Sequence, residues 1–389
     1  MPRRKPDSHL PFDTVALVLQ GGGALGSYQA GVVEGLATAG IEPNWVAGIS
    51  IGALNTAVIA GNPPETRVEK LREFWETICR PAFPFPAADA LQSMVERSGA
   101  AGRKAFGAFS AWRALVEGQQ AFFVPRGAPP WMGGNRGVAE ASFYDTTPLK
   151  STLERLVDFD RINHGPMRVS VGAVNVRTGN FAYFDNRSGP TRHALRAEHF
   201  MASGALPPGF PAVEIDGEHY WDGGLVSNTP LNHVLAATPR RNTLAFQVDL
   251  WSALGPLPGN IYEAQERQKD IQYSSRTRAV TQSMAQSQHF RRLLREVLEH
   301  VPDRIRQSDE WCKKAMELAC ERQYSVIHLI YQDKEWEGLS KDYEFSPLSM
   351  HDHWSSGLLD IQRTLEHDEW LRLPPQGQEF VTHDQHRTR

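Results

Sequence analysis

The chain has 389 residues, which is enough for one large domain or two ordinary ones with a sizeable core. Its 41 basic and 45 acidic residues leave a formal net charge of −4, so composition gives no reason to expect binding to nucleic acid. The three cysteines are widely spaced, which predicts reduced thiols in a cytoplasmic protein and neither a disulfide framework nor a metal site. We expect no secretory signal, no membrane-spanning segment and no cofactor.

The first predicted element is a buried strand, Val15–Leu19, that runs into the glycine-rich loop Gly21–Gly26 and then a helix ending near Gly40. The spacing Gly-x-Gly-x-x-Gly matches a dinucleotide-binding fingerprint. That function also needs an acidic residue at the end of the second strand, where this sequence has Gly48-Ile49-Ser50. A nucleotide-binding oxidoreductase is therefore the disfavoured alternative, and a catalytically silent scaffold is another.

A second apolar run, Trp45–Ala47, leads into Gly48-Ile49-Ser50-Ile51-Gly52 and a further helix. Gly-x-Ser-x-Gly between a strand and a helix is the nucleophile-elbow pattern, in which a tight turn presents the serine hydroxyl. The carboxyl ends of parallel strands meet at one edge of a sheet, so Ser50 and the glycine loop should lie close together. We therefore predict Ser50 as a nucleophile and the backbone N–H groups of Gly22, Gly23 and Ala24 as an oxyanion hole.

Between about residues 80 and 135 the sequence is rich in glycine, alanine and proline. Apolar and aromatic residues are interspersed: Leu91, Met94, Phe106, Phe109, Trp112, Leu115, Phe122, Phe123 and Trp131. This pattern predicts an insertion of helices and loops beside the site. Two interpretations stay open, a packed subdomain or an apolar lid that contacts acyl chains or a membrane surface.

Residues 145 to 160 are predicted to be helical. A hairpin is predicted next, with strands over Met167–Val176 and Phe181–Phe184 joined by a turn at Gly179-Asn180. A second hairpin, with an Asp-Gly turn, ends in Asp222-Gly223-Gly224. Local reasoning leaves two roles open for Asp222, a turn residue or a general base for Ser50. The usual base would be a histidine, and five candidates carry no local signature: His164, His193, His199, His219 and His233.

Further elements are a strand over Leu244–Leu250, a long polar helix over Ile261–Val301, a strand over Tyr324–Tyr331 and a helix over Ser349–His367. The end from Gln376 is expected to be loose. The predicted division is residues 12–250 for a catalytic domain and 251–389 for a mostly helical extension that braces the core or mediates self-association.

Four ordered motifs give the chain a resemblance to patatin-like phospholipases over roughly residues 12 to 250. They are Gly21–Gly26, Gly48–Gly52, Ser203–Pro211 and Asp222–Gly224. The last third resembles the extra domain of a bacterial subgroup. Family members commonly have Arg or Lys before the last loop glycine, where this sequence has Leu25.

The resemblance implies an α/β three-layer sandwich with a mainly parallel central sheet flanked by helices. It implies a serine esterase active in lipid degradation, with Ser50 as nucleophile, Asp222 as proton acceptor and no catalytic histidine. The expected substrate is a lipid or another acyl ester, with peripheral membrane contact as a further expectation. Acyl length, head group and oligomeric state stay open.

Overall fold

The computed structural model describes residues 10–81, 95, 97–127, 134–135, 137–187, 193–274, 277–375 and 377–384. Its strands are β1 Thr14–Leu19, β2 Trp45–Gly48, β3 Val124–Pro125, β4 Tyr144–Asp145, β5 Arg168–Asn175, β6 Phe181–Asp185, β7 Val213–Ile215, β8 Glu218–Asp222, β9 Thr243–Asp249, β10 Tyr324–Ile330 and β11 Phe380–Asp384. Its α-helices are α1 Ser27–Thr38, α2 Ile51–Ala60, α3 Pro64–Ile78, α4 Gly99–Glu117, α5 Thr147–Leu156, α6 Phe159–His164, α7 Ala197–Ser203, α8 Leu231–Leu235, α9 Ile261–Tyr273, α10 Thr277–Glu299, α11 Asp303–Ser308, α12 Glu310–Leu318 and α13 Pro347–Thr364.

Among the described residues, nine strands form one sheet in the order β11-β10-β9-β1-β2-β5-β8-β7, with β6 also paired to β5. β11, β10, β9, β1, β2 and β5 run parallel, whereas β6, β7 and β8 are antiparallel to their neighbours. The central strand β1 is buried along its whole length, as expected for a parallel strand covered on both faces.

Alternate side chains of β1 enter two separate hydrophobic cores, because successive residues of a strand point to opposite faces. Leu17 and Leu19 belong to the larger core, which includes residues of α1, α2, α3 and α13. Ala16 and Val18 belong to a smaller core with residues of α8. The sheet therefore lies between two helical layers, and the predicted α/β three-layer sandwich with a mainly parallel sheet is confirmed.

The C-terminal third is built into this sheet. β10 pairs with β9 over seven residues, and α13 packs along α1 so closely that Gly357 lies against the backbone of Tyr28. The boundary predicted at residue 250 thus falls inside one continuous sheet. No described helix is long and apolar enough to cross a membrane.

Three local predictions differ from the structure. The helix expected over 145–160 is two helices, because the Asp158 side chain accepts a hydrogen bond from the N–H of Arg161 and starts α6. The helix expected over 261–301 is likewise divided into α9 and α10. The end expected to be loose contains β11, which is ordered by parallel pairing with β10. Leu91, Met94 and Trp131 of the predicted insertion lie outside the described residues.

Candidate active site

Ser50 lies in a tight turn between β2 and α2. Its backbone has φ 55° and ψ −126°, a region that non-glycine residues rarely adopt and that costs of order 1–3 kcal/mol. The two flanking glycines make the turn sterically feasible. A Cβ on Gly48 would lie 2.3 Å from the carbonyl oxygen of Gly52, and a Cβ on Gly52 would lie 2.4 Å from that of Leu19. The sharp turn expected from the Gly-x-Ser-x-Gly pattern is therefore present.

Asp222 is the last residue of β8 and is placed beside Ser50 by the pairing of β8 with β5. Its side chain is 2% exposed, and one carboxylate oxygen accepts a hydrogen bond of 2.7 Å from the N–H of Gly224. Burial raises the pKa of Asp222 to about 7, while the nearby Ser50 hydroxyl and the N–H of Gly224 act in the opposite direction. The carboxylate can therefore gain and lose a proton near neutral pH.

The glycine loop borders Ser50 directly, since a Cβ on Gly21 would lie 2.8 Å from the Cβ of Ser50. The carbonyl of Gly21 accepts hydrogen bonds from Asn228 Nδ2 at 3.0 Å and from Trp251 Nε1 at 2.9 Å. Within the described part of the chain, the backbone N–H groups of Gly22 and Gly23 have no hydrogen-bond acceptor. These two predicted donors are thus available.

Ala24 differs from the other two predicted donors. Its N–H donates to the carbonyl oxygen of Asp342 at 2.7 Å, so it is already engaged in this conformation. Leu25, where the resemblance led us to expect Arg or Lys, is fully buried in the core. Gly26 packs against Ile51 at the start of α2, which fixes the end of the loop on the elbow.

A cavity of about 310 Å³ opens over Ser50, Asp222 and the glycine loop. Its walls are mainly apolar and include five aromatic residues: Phe122, Phe123, Tyr144, Phe210 and Phe345. The rings of Phe122 and Phe123 contact each other and between them the other three, with centroids 4.9 to 5.9 Å apart. Of the two interpretations of the insertion, packing applies to Phe122 and Phe123, which are buried and also line this cavity. None of the histidines in the described part of the chain lines it.

Other residues complete the site: Ser203 begins one of the four motifs, whereas Asn228 and the lining residues of the last third carried no functional signal in the sequence. Ser203 accepts a hydrogen bond from the N–H of Ser50 at 3.0 Å and donates to the carbonyl of Gly172 at 2.6 Å, which fixes the elbow. Asn228 holds the glycine loop. Five further lining residues come from the last third of the chain: Trp251, Tyr273, Asp342, Tyr343 and Phe345.

Two family models match the sequence. One, described as patatin-like phospholipase, matches residues 17–235, and another, described as patatin phospholipase, matches residues 271–377. No curated protein gives a significant match. Among solved structures, the crystal structure of VipD from Legionella pneumophila is similar over 91% of this chain and 67% of that chain, with a TM-score of 0.38 and 15% identity.

Proposed function

This chain belongs to the patatin-like phospholipase family, and we propose that it hydrolyses lipid acyl esters with Ser50 as nucleophile and Asp222 as general base. The observation that carries the proposal is that the buried Asp222 carboxylate lines the same cavity as Ser50, which lies in a strained strand-to-helix turn. Membership of the family supports lipid acyl hydrolysis, and our proposal adds the roles of the individual residues.

In the acylation step, Ser50 Oγ bonds to the ester carbonyl carbon while its proton passes to the Asp222 carboxylate. The carbonyl oxygen becomes an oxyanion, which the N–H groups of Gly22 and Gly23 stabilise. When the tetrahedral intermediate collapses, the bond to the alkoxy oxygen breaks and the leaving alcohol takes the proton from Asp222. Ser50 is left as an acyl ester.

In the deacylation step, Asp222 accepts a proton from a water molecule as that water bonds to the acyl carbon. The second oxyanion collapses, the bond to Ser50 Oγ breaks, and the serine recovers its proton from Asp222 while the carboxylic acid leaves. A base with a pKa of about 7 suits both directions of transfer, because it can hold the proton without retaining it.

The apolar walls of the cavity favour a substrate with an acyl chain. Its aromatic rings would remove an acyl chain from water, which stabilises binding by about 0.8 kcal/mol per buried methylene. The groups assigned to the reaction, namely Ser50, Asp222 and the glycine loop, lie together among the residues that line the cavity. A long acyl chain in the cavity with the ester at Ser50 fits this distribution.

Peripheral membrane contact is supported by one face of α4. Phe109, Trp112 and Val116 lie at i, i+3 and i+7 on this helix and are 51%, 56% and 54% exposed. Leu115, also half exposed, lines the cavity. We propose that this apolar face rests on the lipid surface and leads an acyl chain into the cavity.

The test is hydrolysis of p-nitrophenyl esters of graded acyl length by the wild type, Ser50→Ala and Asp222→Asn. We expect both variants to lose hydrolysis while keeping a cooperative unfolding transition, and the wild type to prefer longer chains. Retained activity in Asp222→Asn, together with loss in a single histidine variant, would exclude the dyad. A fluorophosphonate probe should label the wild type and not Ser50→Ala, which separates a narrow substrate range from an inert site.

A further inference from the structure

The glycine loop is in contact with a segment more than 300 residues further along the chain. Besides accepting a hydrogen bond from Ala24, the carbonyl of Asp342 covers Gly23, where a Cβ would lie only 2.0 Å from the carbonyl oxygen. Gly23 also has φ +56°, which favours glycine. The loop conformation therefore depends on where the main chain at Asp342 is held.

Two neighbouring ion pairs fix that main chain to α9, and α9 supplies the cation in one pair and the carboxylate in the other. Lys269 bonds to the carboxylate of Asp342, and Asp270 accepts a bond of 2.7 Å from Lys341. The ammonium of Lys341 is 1% exposed and also bonds to Asp333 at 2.6 Å. A buried cation with two carboxylate partners gives a defined geometry, because any displacement leaves a charge unpaired.

The same helix fixes the other end of the loop. The carbonyl of Tyr273, the last residue of α9, accepts hydrogen bonds from Gln20 Nε2 at 3.1 Å and Asn228 Nδ2 at 2.9 Å. Asn228 in turn bonds to Gly21. α9 thus holds Gly21 through Asn228 and Ala24 through Asp342.

We propose that Lys269 and Asp342 are positioning residues for the oxyanion donors, because their ion pair keeps the Asp342 carbonyl on Ala24 and so fixes Gly22 and Gly23 beside Ser50. The inference rests on the proposed function. Under this proposal the C-terminal third contributes to catalysis, because it holds the oxyanion donors in place before the reaction. Donors that are already in position stabilise the negative charge as it develops on the carbonyl oxygen.

The first variant is Lys269→Met, which keeps the hydrocarbon stem and removes the charge, and Lys70→Met in the partly exposed pair with Glu73 on α3 is the matched control. On a soluble short-chain ester we expect Lys269→Met to lose roughly 10- to 100-fold in kcat with KM within about twofold, the range for slightly misplaced groups. Lys269→Arg should restore most of kcat, and Lys70→Met should match the wild type.

A second readout separates positioning from general damage. An alkyl trifluoromethyl ketone forms a tetrahedral oxyanion adduct with the serine, so its inhibition constant should rise in Lys269→Met by the same factor by which kcat/KM falls. Unchanged kcat, or an unchanged inhibition constant beside a lower kcat, would overturn the proposal. So would an equal loss in Lys269→Arg.

Asp342→Asn removes the other half of the same pair and serves if Lys269→Met folds poorly. The double variant should lose no more than either single variant, because both changes remove one interaction. Additive losses would contradict the shared role. If Ser50→Ala keeps the wild-type activity, the proposed function itself fails, and that result is distinct from a failure confined to Lys269 and Asp342.

Discussion

Asp222→Asn should produce a protein that is inactive and more stable than the wild type. The carboxylate is buried and has no cationic partner among the groups that shift its pKa, which are the Ser50 hydroxyl and the Gly224 N–H. Ionising it in the folded protein is therefore unfavourable. Asparagine has nearly the same shape, carries no charge and can still accept the hydrogen bond from Gly224.

The magnitude follows from the pKa of Asp222. It is about 7 in the folded protein and has an ordinary value of 3.8, and this gap corresponds to ~4 kcal/mol of folding free energy. Below about pH 4 the group is neutral in both states and the effect is absent. Between about pH 4 and 7 only the unfolded state is ionised, so stability falls as pH rises. Above about pH 7 the full destabilisation is present.

Urea unfolding at pH 4.5 and pH 8 measures this effect directly. The stability difference between Asp222→Asn and the wild type should increase by ~3–4 kcal/mol from the lower to the higher pH. Packing and hydrogen-bond changes due to asparagine add a constant at both pH values, so the increase reports the ionisation alone.

Asp185→Asn is the matched control, since Asp185 is also buried at 1% exposure. Burial alone would raise the pKa of Asp185, but hydrogen bonds from His233 and Ser170 and the charge of Arg168 outweigh it and lower the pKa. Its stabilisation is lost only as pH falls below about 4, so the ionisation of Asp185 itself should not change the difference from wild type between pH 4.5 and 8. A pH-independent difference for Asp222→Asn would refute the assignment of a raised pKa.

Three further outcomes are expected. The kcat/KM for a soluble ester should rise through about pH 7 and then level off, because Asp222 must be ionised to accept the serine proton; a flat profile from pH 5 to 9 would contradict this role. Gly52→Ala should lower stability by ~1–3 kcal/mol in urea unfolding and abolish labelling by a fluorophosphonate, because the new methyl group meets the carbonyl of Leu19. Replacing Phe109 and Trp112 together with glutamine should reduce binding to, and hydrolysis of, phospholipid vesicles while leaving a soluble ester unaffected; equal loss on both substrates would assign these rings to folding.

The elbow and the hairpin could be predicted because their chemistry is local. Ser50 is flanked by the two glycines that its turn requires, and the Asp216-Gly217 turn adopts the positive φ values that this dipeptide favours. The sequence order of the motifs also carries over to space, because the parallel strands β1 and β2 deliver their loops to one edge of the sheet.

The contribution of the last third could not be predicted in the same way. The partner of Ala24 is a main-chain carbonyl, which every residue possesses, so the sequence around Asp342 gives no sign of it. The ordering of Phe380–Asp384 is another tertiary effect, since the polar end of this segment would be expected to fray without β10 beside it. Such contacts depend on where distant elements pack.

The continuous sheet determines when the nascent chain can complete its fold during translation. Every residue of β9 is buried, yet its neighbour β10 begins at Tyr324 and is made only after a further 74 residues have followed Asp249. A nascent chain that already contains Ser50 and Asp222 therefore has an unpaired, apolar sheet edge and no carbonyl over its glycine loop. Ester hydrolysis should consequently appear only when translation has passed Asp342 and the Asp342 carbonyl can contact the glycine loop.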